Sequence, residues 1–144
     1  MDKITFVNGQ QPALNATNLN QLQTNVEAAI SAANTYSTDE TVIGTWMDKP
    51  LYRKVFDIGS LPSSYTKTIT TGFTSIIKCR KLYGIAYGSA PSAMYAEAIP
   101  YNDGTQMNTI IVNINSNGDI QVTTSDDRSD MKGFVVVEYI KTTD

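Results

Sequence analysis

Val42 to Gly59 reads VIGTWMDKPLYRKVFDIG. Apolar and polar residues alternate on both sides of the Met-Asp-Lys-Pro stretch, and a period of two is the mark of a half-buried strand. The stretch therefore reads as two strands joined by a tight turn, with Asp48 and Lys49 at its tip and Pro50 ending it. Trp46 and Tyr52 fall where side chains pack across the hairpin. Neighbouring residues of a strand face opposite ways, so of Arg53 and Lys54 one turns towards a partner. A carboxylate is the natural partner for Arg53.

The same period continues to the end of the chain. TVIGTW, LYRKVFDI, SYTKTIT, CRKLYGIAYG, AMYAEAI, NTIIVNIN, DIQVTT and GFVVVEYIK each read as a strand, and Gly-, Pro-, Asn- and Ser-rich turns separate them. KTITTGFTSI suggests a strand, a turn at Gly72 and a loop crossing to Cys79. Eight short strands with no later helical pattern predict a mainly β protein, an antiparallel β-sandwich or jelly-roll-like head.

The first part of the chain differs. MDKITFVNGQQPAL reads as a short extended arm. In NATNLNQLQTNVEAAISAAN, Asn15 or Thr17 is a plausible N-cap. Leu19, Leu22, Val26, Ala29 and Ala33 then recur at spacings of three and four, and Ile30 widens the stripe. This is the seam of a short helical bundle or coiled coil. Two heptads with alanines are too short to be stable alone, so a seam would need a larger trimeric head behind it. The same stripe also suits a helix packed on its own domain. Composition shifts at Asn34 to Asp39, which divides the chain into residues 1–36 and 37–144.

Several functions are disfavoured by composition. The net charge is −3 and the pI is about 4.8, without the basic footprint of a nucleic-acid binder. There is no apolar run long enough to span a membrane and no continuous apolar stretch of a signal peptide at the start. Histidine is absent, which removes the commonest general base and metal ligand. Cys79 is the single cysteine and has no partner for an internal disulfide. Asn113, Asn115 and Asn117 imitate the start of a calcium loop, but the twelfth position is Thr124 where a Glu is needed. Asn117-Gly118 is the stronger signal and predicts a hairpin whose two central residues take positive φ. SDDRSD gathers Asp126, Asp127 and Asp130 around Arg128; it reads as a solvated loop with local pairing ahead of a cation site. Glu97 and Glu138 are the only strand glutamates, and a glycosidase would need two carboxylates facing each other. No catalytic residue, metal or cofactor is expected.

Tyrosines are plentiful. Tyr87, Tyr95 and Tyr101 flank loops, and with Asn102 and Asp103 they could stack on and hydrogen-bond a glycan. The same loops serve equally well as plain connections between strands.

VIGTW, the Asp-Lys-Pro turn, LYRK, the Ser-Asp-Arg-Ser loop at Ser125 to Ser129 and the ending VEYIKTTD resemble a module of tail-fibre, baseplate and head-fibre proteins of phages and prophages of Gram-positive and gut bacteria. Relatives often carry a Gly between Asp and Lys, which this chain lacks. The opening FVNGQQPALNATNLNQLQTNVEAAI is similar to a second element that precedes such domains. The resemblance implies a structural, homotrimeric virion protein on the phage particle. Its N-terminal arm would join other virion proteins of the baseplate, tail or capsid, and its head would serve host attachment, with a host-surface glycan as one ligand. A capsid head fibre or decoration protein and a carbohydrate-binding module are the alternatives. Neither nucleic-acid binding nor membrane insertion is expected.

Overall fold

In a computed structural model, residues 16–73, 76–88, 95–102, 104 and 109–143 are described. The chain divides into two compact units, Met1–Thr35 and Tyr36–Asp144.

The first unit contributes α1, Ala16–Asn34. The candidate cap Asn15 lies outside the described residues, and Thr17 falls inside the helix. The C-terminal end has no glycine. Instead the Asn34 amide donates to the Ile30 carbonyl and the Thr35 hydroxyl to the Ser31 carbonyl, satisfying oxygens that a helix end leaves without partners. Gln21 to Asn25 and Gln23 to Glu27 side-chain bonds brace the polar flank. No residue of α1 is buried.

The second unit is built from strands. The five-stranded sheet has the order β1-β2-β9-β4-β5, with β1 Thr41–Trp46, β2 Lys49–Ser60, β4 Ile76–Gly88, β5 Ala96–Ile99 and β9 Met131–Lys141. The four-stranded sheet has the order β3-β8-β7-β6, with β3 Thr66–Ile69, β6 Tyr101–Asn102, β7 Thr109–Ile114 and β8 Ile120–Thr124. All pairings are antiparallel. One buried cluster draws on both sheets: Phe56 and Ile58 of β2, Ile110 of β7, Ile120 and Val122 of β8, and Val135, Val137 and Tyr139 of β9. The fold is thus mainly β, with two antiparallel sheets consistent with a β-sandwich.

β9 is central because both of its faces are largely buried. Met131, Val135, Val137 and Tyr139 enter the core, while Val136 and Ile140 on the opposite face are buried as well. A strand covered on both sides reads as a continuous apolar run, and GFVVVEYI is one. β4 fits closely beside it. A Cβ on Gly84 would stand 2.1 Å from the Phe134 carbonyl oxygen, so only glycine is accommodated there.

Three local expectations are corrected. The first hairpin turns on Met47 and Asp48, with φ of 54° and 60°, and not on Asp48 and Lys49. Lys49 and Pro50 already belong to β2, paired with Trp46 and Thr45. Two positive φ values in a two-residue loop match the right-handed twist of the strands, and here non-glycine residues adopt them. The β7–β8 hairpin at Asn117-Gly118 is present, but only Gly118 has positive φ. Its loop is longer, and the Asn115 side chain accepts from the amides of Asn117 and Asp119. Finally, the crossing after Gly72 is shorter than expected, since β4 begins at Ile76 and not at Cys79.

Candidate functional site

The chemistry of the second unit gathers on the outer face of the five-stranded sheet. Alternation along β9 turns Phe134, Val136 and Glu138 away from the core. Register then sets their neighbours. Arg53 of β2 lies opposite Glu138, Val55 opposite Val136, Tyr83 of β4 opposite Val136 and Ile85 opposite Phe134.

Glu138 is the best-enclosed charge of the face, its side chain 3% exposed. Its Oε1 accepts from Arg53 Nε at 3.2 Å and Nη2 at 3.0 Å. Its Oε2 accepts from Arg80 Nη1 at 2.9 Å. Arg80 reaches it because the β4–β9 register shifts between Cys79 and Lys81, and the extra residue of a bulge re-aims a side chain. The Tyr83 hydroxyl lies 3.3 Å from both Glu138 Oε1 and the Tyr36 hydroxyl. The Arg53 guanidinium covers the Tyr36 ring at 4.4 Å. Burial raises the Tyr83 phenol above its ordinary range, helped by the Tyr36 hydrogen bond and the Glu138 charge. Burying a carboxylate costs free energy that paired charge must offset, and two guanidiniums are placed to do so here.

Beside this cluster is an apolar hollow of about 340 Å³ lined by Tyr36, Val55, Tyr83, Ile85, Phe134 and Val136. Tyr36 and Tyr83 belong to both features, so the hollow and the charged cluster share a rim. Tyr36 is held by Arg53 and by the strap that follows it, whose Ser37 carbonyl accepts from the Val55 amide at 2.8 Å.

At the end of β9, the Glu40 carboxylate accepts from the Tyr139 hydroxyl and from Lys141 Nζ. The Lys141 ammonium sits 4.1 Å from the centre of the Tyr52 ring, and Tyr52 stacks on Tyr139. Burial raises the Tyr139 phenol, followed by its bond to Glu40. These contacts tie the entry of β1 to the last strand and read as structural.

The expected glycan residues are dispersed. Tyr87 is on the outer face, its ring 6.1 Å from that of Phe134. The Tyr95 hydroxyl donates to Asp130 Oδ2 at 2.9 Å, which raises its phenol. Tyr101 is half-buried and packs against the core cluster. The Asn102 side chain accepts from the Gly104 amide in a local turn, and Asp103 lies outside the described residues. Glu97 pairs with the buried Ala86 of β4 on the core side, so Glu97 and Glu138 occupy opposite faces of the sheet. Arg128 also reaches outside its own loop, to Glu97 at 3.6 Å. The Asp127 carboxylate, which accepts from the Ser129 amide, is held below its ordinary range by that bond. Among the described residues no group of three or more Cys, Asp or Glu is placed to hold a metal ion.

The seam residues Leu19, Leu22, Val26, Ala29 and Ala33 all lie in α1 and are exposed, Leu22 at 52%. No helix of the described residues is long and apolar enough to cross a membrane.

The Arg53–Glu138–Arg80 cluster was not foreseen as a unit because its members are 85 and 58 residues apart. One signal was available: Tyr83, Ile85 and Tyr87 alternate with Leu82, Gly84 and Ala86, which puts a row of two tyrosines and an isoleucine on one face of β4.

No protein-family model matches this chain, and no curated protein and no solved structure is found to match it.

Proposed function

We propose that this chain is a structural phage virion protein, a homotrimeric fibre or receptor-binding component whose head serves attachment to the host surface. The motif resemblance supports the virion assignment. The observation that carries the trimer is the seam: four large apolar side chains, Leu19, Leu22, Val26 and Ile30, are about half exposed on one helix. Helices in proteins gain most of their stability by packing an apolar face, and this one buries no residue. Three copies brought together would bury one another's stripes in a short coiled coil. The two sheets then form a sandwich, jelly-roll-like head, present three times in the trimer. Three equivalent sites turn weak single contacts into firm attachment through effective concentration.

Antibody labelling of assembled particles tests the assignment. Label at the host-facing end of a tail or baseplate is the expected result. Label spread over the capsid shell would replace attachment with decoration, and particles free of label would overturn the virion reading.

A further inference from the structure

The outer face of the five-stranded sheet carries an unusual charge for an acidic chain. Arg53 and Lys81 stand opposite Glu138, Arg80 bonds it, and Lys78 stands opposite Ile140, the next outward residue along β9. Two guanidiniums thus pair with one carboxylate, and two lysines stand on the strand beside it, in a protein of net charge −3. Asp57, further along β2, is turned back to the Gly59 amide. The basic cluster borders the apolar hollow through Tyr36, 59% exposed, and Tyr83, and the mouth of the hollow is formed by Ile85, 46% exposed.

We propose that this hollow and its basic rim bind a uronate, a sugar ring carrying one carboxylate, as a unit of an anionic surface glycan. The inference rests on the attachment reading given above. The ring's apolar face suits Tyr36 and the Val55, Ile85 and Phe134 walls. Its hydroxyls suit the Tyr36 and Tyr83 phenols, which can donate and accept. Its carboxylate suits Arg80 and Lys81, because the guanidiniums already surround a carboxylate at Glu138 and cationic charge remains in excess. A volume near 340 Å³ is at the lower end of small-molecule sites, about 300–1,000 Å³, and fits one or two rings. A neutral sugar has no use for the basic rim.

The test is calorimetric titration of the full chain with methyl glucuronide, methyl glucoside and glucose phosphate, together with spectra of labelled tyrosines. Glucuronide should bind and shift the Tyr36 and Tyr83 signals. Arg80→Gln should weaken it about tenfold, the loss of one charge-assisted hydrogen bond. Lys81→Gln should weaken it less, and raising salt from about 20 to 200 mM should weaken it in the unmodified chain. Tyr36→Ala removes a ring that is largely exposed, so the fold survives while binding is lost. Glucoside binding equally well, glucose phosphate binding more tightly, or tyrosine signals that ignore every sugar would each overturn the proposal. Host-cell binding, measured in parallel, separates the two readings. Cells bound by a chain that ignores uronate remove this site and leave attachment standing. Uronate bound by a chain that ignores cells leaves this site and removes attachment.

Discussion

The helix and the head are both amphipathic, yet they treat their apolar residues differently. In the head, every long strand sends one face into a cluster shared by both sheets, and β9 is covered on two sides. In α1 a stripe of comparable apolarity stays half-exposed and no residue is buried. The contrast teaches what each part needs. Strand stripes are completed by other stripes of the same chain. The stripe of α1 has no such cover among the described residues, and the proposed cover is further copies of itself. The predictions below press on that difference, beginning with the head.

Glu138→Ala should have the largest effect. It leaves the Arg53 and Arg80 guanidiniums around an empty position, and breaking a buried ion pair costs about 3–5 kcal/mol. Urea unfolding at fixed protein concentration reads this directly. A loss below about 1 kcal/mol would mean that water reaches the carboxylate and that the outer face is no enclosed network.

Ile120→Ala should follow. Ile120 has no exposure and belongs to the shared core, so its truncation leaves a cavity worth about 2–5 kcal/mol. An effect confined to the small sheet, with β9 amides still protected from exchange, would show that the two sheets do not unfold together.

Alkaline pH should weaken the head next. The Tyr83 and Tyr139 phenols are raised in the folded chain, mainly by burial, so the folded state keeps protons that the unfolded state releases above about pH 10. Their contribution is fully present below that pH and is lost as the pH rises towards the folded values. The unfolding midpoint should therefore be insensitive to phenol ionisation below about pH 9 and fall above it. Tyr83→Phe should reduce the slope. An unchanged slope would place that phenol in open water.

The first hairpin gives a smaller effect of opposite sign. Met47 and Asp48 hold positive φ without glycine, and the left-handed region costs an ordinary residue about 1 kcal/mol. Asp48→Gly should thus raise stability by up to about 1 kcal/mol in thermal unfolding. A lower melting temperature would show that the Asp48 side chain supports the turn.

These positions also mark how far the sequence could be read. The strands were legible because a period of two needs only neighbouring residues, whereas the central place of β9 depends on sheet order and was not read. The two turns were read less well. Asn117-Gly118 has the composition of a two-residue turn, but Asn115 captures two amides and lengthens the loop. Met47-Asp48 makes such a turn with no Gly to advertise it. The charged cluster was hidden for a different reason. Its geometry depends on sheet order and on the bulge before Lys81, both of which join residues far apart in the chain. Tyr36 was assigned to the segment before the head, and it belongs with the head, an exposed ring in contact with Arg53 and Tyr83.

The smallest effect on unfolding is expected in α1. Leu22→Asp should change the stability of the head by no more than about 0.5 kcal/mol, as for other exposed positions. Its effect should fall on assembly, because three aspartates meeting in a seam bury unpaired charge. Light scattering of the unmodified chain at micromolar concentration is the direct measurement of that claim. The account predicts a mass of three times 15.8 kDa, reduced to a single chain by Leu22→Asp. A single-chain mass for the unmodified protein would contradict it.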